Sequence, residues 1–241
     1  MPFDQKIVAI HQPNYFPWLG FFYKIYACDV FVFHDNVEHS KRYPTRRTRI
    51  RKSNEDDSPI WLTVPLKKHS DFALIKDLEV DHFQDWQGKH LHKFSNSYSS
   101  APFFQQIFPK IEICLAGTKH FNSLAEMNVF LIENILGWLE IEREIQRSSK
   151  LLVEGKGSEY NVELVKFLGG TTYLSGQGGS NYQSDSLFEQ AGISLVYSDW
   201  GGKLENLKLP FSSRFSILEV LVEVGFERLT CFFDELISNA P

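Results

Sequence analysis

The chain opens with an apolar, β-branched run, Lys6-Ile7-Val8-Ala9-Ile10, closed by a turn-forming proline, and such a run predicts a buried strand. From Pro17 onward the period changes. Leu19, Phe22, Tyr23 and Tyr26 recur on one helical face, and proline suits the first helical position. Val30-Phe31-Val32-Phe33 is a second apolar strand ending at His34-Asp35-Asn36. A strand, a helix and a strand in about 30 residues predict a parallel crossover. Shorter β-like runs follow at 47–51, 60–65 and 75–80. The polar stretch from Lys52 to Ser58 is expected to be the hairpin loop between the first two.

From Gln84 to about Gly137 the pattern is helical. Ala101-Pro102 starts one helix and Gly117 stops it, and Leu124, Met127, Leu131, Ile135 and Trp138 trace the next. Ile141 to Gln146 returns to a strand, followed by a Ser148-Ser149-Lys150 turn. Tyr160, Leu164, Phe167 and Leu168 mark a helix ended by Gly169-Gly170. A strand from Thr171 to Leu174 leads into a second loop, Ser175 to Tyr182. Ser184 is placed to cap the helix that follows, and 193–197 is a final strand. Two helices close the chain, the first marked by Phe215, Leu218, Val222 and Phe226. Alternating elements at both ends with a β-then-α insertion predict an α/β fold, a Rossmann-like, mostly parallel sheet with a helical cap insertion. We expect one domain over 1–241, with 1–83 and 141–200 as the sheet core, 84–140 as the helical insertion and 201–241 as C-terminal helices.

A hydrophobic share of 43% and an aromatic share of 15% are ample for a core. The formal net charge of −5 offers no field for nucleic acid or an anionic membrane. Cys28, Cys114 and Cys231 are scattered in apolar runs without a C-x-x-C pair, so all three are expected to be buried thiols of a reducing compartment. No run approaches a membrane span and the first residues carry no leader pattern, so a cytoplasmic protein is expected.

Candidate chemistry collects where strands turn into helices. His11, Gln12 and Asn14 follow the first strand, with Tyr15 and Trp18 beside them, at the strand end where ligands bind in open α/β sheets. His34-Asp35 ends the neighbouring strand, so Asp35 could orient an imidazole or share a divalent ion with it, and His39 is the further nearby ligand type. The stretch from Lys41 to Lys52 is strongly basic. Lys41 and Arg42 open it, and in a strand at 47–51 Arg47, Arg49 and Arg51 share one face while Thr48 and Ile50 share the other. Such a row is a forked grip for phosphate or carboxylate, or the positive edge of a solvated strand. His11 and this row are expected to share one cavity. Gly176, Gly179 and Tyr182 belong to a Gly-rich loop after the strand Thr171 to Leu174, which carries Tyr173, and its N–H groups could line an anion. His82, His90 and His92 are spaced irregularly and are expected at the surface.

The ordered motifs HQPNYFPWLGFFYKI (11–25), DVFVFHDNVEHSKR (29–42), RRTRIR (46–51) and WLTVPL (61–66) resemble the WbqC-like family. SSKL (148–151), GGTTYLSGQGGSNYQ (169–183) and FSILEVLVEVGFE (215–227) continue the likeness. The resemblance implies bacterial O-antigen or polysaccharide biosynthesis, with transfer of a glycyl or related acyl group to the amino group of a nucleotide-linked sugar. His11 and Asp35 would then be catalytic; Gln12, Asn14, Tyr15, Trp18, Lys41, Arg42, Arg47, Arg49, Tyr173, Gly176, Gly179 and Tyr182 would bind substrate. ATP and Mg2+ enter if the acyl group is activated in the same site, as in an amide ligase. The other class of reading is a non-catalytic nucleotide-sugar-binding accessory protein. This chain departs from the family pattern at Pro44 and Arg46, and at Lys203 to Lys208, while the late acidic pair is Glu219 and Glu223.

Overall fold

A computed structural model describes residues 5–40, 44–53, 55–181, 183–198 and 215–238. Its strands are β1 (Ile7–His11), β2 (Val30–Phe33), β3 (Arg47–Ser53), β4 (Asp56–Thr63), β5 (Glu144–Arg147), β6 (Thr172–Gly176) and β7 (Ser194–Ser198). The helices are α1 (Leu19–Tyr26), α2 (Trp86–Tyr98), α3 (Phe104–Gly117), α4 (Leu124–Trp138), α5 (Gly157–Phe167), α6 (Asp185–Gln190) and α7 (Ile217–Ser238). By their contacts the described residues divide into two units. One comprises 5–12, 20–36 and 142–198; the other comprises 13–19, 37–141 and 215–238.

The first unit is built on a five-stranded sheet in the order β5-β2-β1-β6-β7, with every pairing parallel. The α/β fold with a mostly parallel, Rossmann-like sheet is therefore as expected. Both faces are covered, which is why β1 and β2 read as unbroken apolar runs. Val8, Ile10, Val30 and Val32 join Tyr160, Leu164 and Phe188 in one buried cluster. On the opposite face Phe21 of α1 meets Phe31 edge-on at 5.4 Å, and Phe31 meets Phe33 at 5.2 Å. Counted along its own strands the sheet reads 3-2-1-4-5, so its direction of growth reverses at β1, between β2 on one side and β6 on the other. Ligands of open α/β sheets bind outside the carboxyl ends of the strands at such a reversal.

The second unit carries a separate two-stranded antiparallel sheet, β3 with β4, and the helices α2, α3, α4 and α7. Thr48 and Ile50 are buried and Arg49 exposed, as strand alternation requires. The expected loop from Lys52 to Ser58 is much tighter, because Ser53 pairs with Asp56 and Lys52 bonds Asp56 at 2.8 Å. The expected strand at 75–80 does not form. Ile75, Leu78 and Val80 are the buried positions, spaced three and then two, and Ile75–Asp77 is a 3-10 turn followed by isolated bridges at Glu79 and Val80. Asp85 caps α2 by accepting from the Gly88 amide at 3.1 Å, and Ser123 caps α4. Ser184 precedes α6 but makes no cap; its hydroxyl lies 3.1 Å from that of Ser186. α7 is two helical pieces joined at Gly225, whose φ of 75° interrupts the stripe expected from Phe215 to Phe226. A Cβ there would stand 2.8 Å from the Phe103 ring, so the kink needs glycine on two counts. Cys28 and Cys114 are buried as expected, whereas Cys231 is exposed, because the turn of α7 that buries Phe232 and Phe233 faces it outward. Among the described residues no helix is long and apolar enough to cross a membrane.

Candidate functional site

β1 delivers His11 to the carboxyl edge of the first unit's sheet. The register sets His11 opposite Phe33, and the His11 carbonyl accepts from the His34 amide at 2.8 Å, so the two histidines lie side by side at the ends of adjacent strands. Nδ1 of His11 is 3.1 Å from the Gln12 carbonyl. A carbonyl only accepts, so Nδ1 carries the hydrogen and Nε2 is the accepting nitrogen of a neutral ring. Burial pushes the His11 pKa down to about 3, with Lys24 and His34 adding to the effect. His34 stacks on Tyr160 at 5.2 Å, and burial lowers its pKa to about 4 despite the nearby Asp35. Both rings are therefore neutral at physiological pH.

Asp35, fully buried, ties the end of β2 to the end of β5. Its carboxylate accepts from Arg147 Nε at 2.9 Å, from the Ser149 amide at 2.9 Å and from the Ser149 hydroxyl at 2.8 Å, while its own amide donates to Ser148 Oγ at 3.1 Å. Burial alone would raise its pKa; the bonds from Ser149 and Arg147 overcome that and hold it below the usual carboxylate value. Asn36 extends the network by donating to the Tyr160 hydroxyl at 2.9 Å.

On the other side of β1 stands the Gly-rich loop. β6 ends at Gly176 and runs into a 3-10 turn, Gln177–Asn181. Gln183 fastens it by donating to Ser175 Oγ at 3.0 Å and to the Tyr173 hydroxyl at 3.3 Å. A Cβ at Gly179 would fall 2.2 Å from Ser175 Oγ, so only glycine lets the turn close this tightly. Tyr173 is a core residue, stacked on Phe188 at 5.1 Å.

The second unit holds the rest of the HQPNYFPW motif. The Tyr15 hydroxyl is 2.9 Å from His90 Nδ1, and burial lowers the His90 pKa to about 4. His90 is thus a buried structural partner, not the surface residue expected from its irregular spacing. Phe16 has a positive φ of 38°, and its carbonyl accepts from the hydroxyls of Thr48 at 2.9 Å and Ser216 at 2.8 Å. Asn128 bridges the carbonyls of Pro13 at 2.9 Å and Thr45 at 2.7 Å. Beside that bridge, both amide atoms of Asn14, which is 1% exposed, have no hydrogen-bond partner among the described residues. Trp18 is half-buried just before α1.

The arginine row does share one face of β3, but its members differ in use. Arg47 and Arg49 lie over the ring of Trp61 at 4.3 and 5.6 Å, Trp61 being the cross-strand partner of Arg49. Arg51 is committed within the protein: it pairs with Glu219 at 3.2 Å and with Glu223, and lies 5.0 Å over the Tyr98 ring. Burial raises the Glu219 pKa to about 7 against the pull of Arg51, and Glu223 adds to the rise.

The expected site residues thus fall in both units. His11, Gln12, Asp35, Tyr173, Gly176 and Gly179 belong to the first, and Asn14, Tyr15, Trp18, Arg47 and Arg49 to the second. Lys41, Arg42 and Tyr182 lie outside the described residues, as does the stretch Lys203 to Lys208. His39 meets His69 edge-on at 5.8 Å, and among the described residues no group of three His, Cys, Asp or Glu is placed to hold a metal ion. Sequence reasoning missed Lys24 and Arg147. The signal for Lys24 was a single charge inside the otherwise apolar helix LGFFYKIY; that for Arg147 was its place before the SSKL turn.

A parallel sheet that reverses at β1, with neutral imidazoles and a fastened glycine loop along its carboxyl edge, defines an α/β protein of Rossmann-like architecture. More narrowly, the chain belongs to the WbqC-like protein family, whose profile matches residues 12–231. It is also 30% identical over 226 residues to an uncharacterized protein, Rv1507c, of Mycobacterium tuberculosis, covering 92% of this chain and 95% of that one.

Proposed function

We propose that the protein transfers an aminoacyl group, glycyl or a close relative, to the amino group of a nucleotide-linked amino sugar used in bacterial surface polysaccharide. The observation that carries this reading is His11, held neutral at the carboxyl end of β1, beside the strand-order reversal and across from the glycine loop of β6. Such an edge suits a phosphorylated ligand, because backbone N–H groups of a glycine loop can donate to its oxygens, while the free Nε2 of the uncharged His11 ring can accept from a ligand hydroxyl or amine. In the transfer, the sugar amine attacks the carbonyl of a glycyl group activated as a phosphate or adenylate ester. The C–N bond forms, the C–O bond to the phosphoryl leaving group breaks, the amine proton passes to solvent, and the charge that grows on the carbonyl oxygen is where fixed polar groups stabilise the transition state. His11 positions the reacting groups in this scheme, and Asp35 acts one step removed, anchoring the strand end on which His34 stands. Family membership supports the substrate class through the pathway that the resemblance implies.

One observation favours a second reading, a protein that binds a nucleotide sugar without turning it over. An imidazole whose pKa sits near 3 is a poor proton acceptor at neutral pH and a good hydrogen-bond partner. One experiment separates the two. The protein is incubated with a panel of nucleotide-linked amino sugars and glycine, with ATP and magnesium, and products are read by mass spectrometry for a gain of one glycyl residue. His11→Asn is run beside it, with sugar-nucleotide binding measured on both. Product from wild type, with turnover lost and binding kept in the variant, bears out the transferase. Binding with no product from any acyl donor leaves the carrier reading.

A further inference from the structure

We propose that Lys24 is a counter-charge built into the first unit for an oxyanion, the phosphate or carboxylate of a ligand that enters where β1 and β6 part. The proposal rests on the strand-edge reading above and names the group that would meet the ligand's charge there.

The backbone ladder locates the ammonium. Along a parallel strand successive carbonyls point to alternate neighbours. On β1 the Ile7 carbonyl accepts from the Asp29 amide at 2.9 Å and the His11 carbonyl from the His34 amide at 2.8 Å, both toward β2. The Lys6 carbonyl accepts from Thr172 at 3.1 Å, toward β6. Ile10 belongs to the same alternate set as Lys6, so its carbonyl also faces β6. Yet the pairing of β1 with β6 ends at Ala9↔Leu174, whereas β6 stays paired with β7 through Gly176↔Ser198. The vacated acceptor is taken by Lys24, whose Nζ donates to the Ile10 carbonyl at 2.7 Å. The ammonium therefore occupies the gap between the two strands at the point of strand-order reversal. Helical side chains lean toward the helix N-terminus, which is how a residue in the second turn of α1 reaches the strand's carboxyl end.

The surroundings leave the charge unanswered. Lys24 is 4% exposed, and among the described residues no carboxylate pairs with it. Asp29 is spent at the opposite end of β1, accepting from the Ile7 amide at 2.7 Å, and Asp35 is spent on Arg147, Ser148 and Ser149. The titratable groups nearest it are Cys28, His11 and, past His11, His34. The Cys28 thiol donates to the Ile25 carbonyl at 3.3 Å and burial holds it as a neutral thiol, while both imidazoles are neutral. A buried ammonium with one carbonyl for company is costly, and the usual resolution is a partner of opposite charge. Without one, burial draws its pKa down to about 7. The loop that leaves β6 is uncrowded, since a Cβ added at Gly176 or Gly178 would meet no atom within 4 Å. An arriving oxyanion would restore the proton to Lys24, so binding should consume protons.

The test is isothermal titration of the full-length protein with inorganic pyrophosphate, with uridine diphosphate and with glycine, in buffers of different ionisation heat. Wild type should bind at least one probe with net proton uptake, relative to Lys24→Arg, that grows from pH 7 to pH 8. Lys24→Met should bind at least tenfold more weakly with no uptake. Lys24→Arg, charged at either pH, should bind without uptake and controls for folding. Uptake with pyrophosphate and uridine diphosphate makes the group a phosphate; uptake with glycine alone makes it a carboxylate. No binding of any probe at millimolar concentration, binding without uptake, or a Lys24→Met variant that binds as wild type overturns the proposal. Lys24-dependent binding without glycyl transfer would keep this inference and remove the transferase. Transfer undiminished in Lys24→Met would do the reverse.

Discussion

Replacing Asp35 by Asn tests the reading of the β2–β5 junction. The substituted amide would keep the shape but lose the charge, leaving Arg147, whose side chain is 16% exposed, facing a neutral group. The carboxylate makes contacts of 2.8 Å with Arg147 Nη2 and 2.9 Å with Nε, and it accepts twice from Ser149, through the amide and the hydroxyl. Removing one partner of a buried ion pair costs roughly 3–5 kcal/mol. Arg147 can recover part of its hydration, so the expected loss is about 2–4 kcal/mol at pH 7. For a chain of this length each kcal/mol lowers the melting temperature by about 2–4 °C, so a fall on the order of 4–16 °C is expected by circular dichroism. Acid supplies the second half of the test. Asp35 titrates below the ordinary value of 3.8, so its contribution is complete above that value and disappears as pH falls through the folded-state pKa. The gap between variant and wild type should therefore close in strong acid. A variant that melts within about 1 °C of wild type at pH 7, or a gap that persists at low pH, would refute the reasoning.

Three further outcomes are expected. His11, His34 and His90 resist protonation to about 3, 4 and 4, so between pH 6.5 and 5 the unfolded chain binds more protons and stability should fall by up to about 1.4 kcal/mol per pH unit for each; urea midpoints across that range check it, and a flat profile counts against it. Glu219, raised to about 7, opposes stability where it is charged, so Glu219→Gln should melt above wild type at pH 8 and lose that advantage at pH 5. Gly225→Ala must adopt a φ of 75° and push against Phe103, which should cost about 1–3 kcal/mol in denaturant titrations; a loss below about 0.5 kcal/mol would mean that the kink relaxes freely.

The start of the central sheet was legible because β1 and β2 are apolar on both faces and the crossover between them is short. β1, α1 and β2 follow one another within 27 residues, from Ile7 to Phe33, and local period alone finds them. What could not be read is what depends on partners far along the chain. Nothing near Ile75 says that its segment meets only isolated bridges, and nothing near His90 says that a tyrosine 75 positions away will bury it. The arginine row illustrates the limit: alternation placed the three side chains on one face, but the carboxylates that claim Arg51 come from α7, up to 172 positions later. Lys24 escaped because a helical stripe hides a charge that bends back to a strand end, and only the missing rung between β1 and β6 shows where it goes.

Each unit is stitched from three separate lengths of polypeptide, and the eight-letter motif HQPNYFPW is itself cut between them after Gln12. No stretch contains either unit without part of the other, so a single cut anywhere between residues 13 and 198 interrupts both. During synthesis the first sheet must wait, incomplete, for β7 at Ser194–Ser198, and the second unit waits longer still, for α7. Newly made chains should thus stay vulnerable to proteases until α7 has been made.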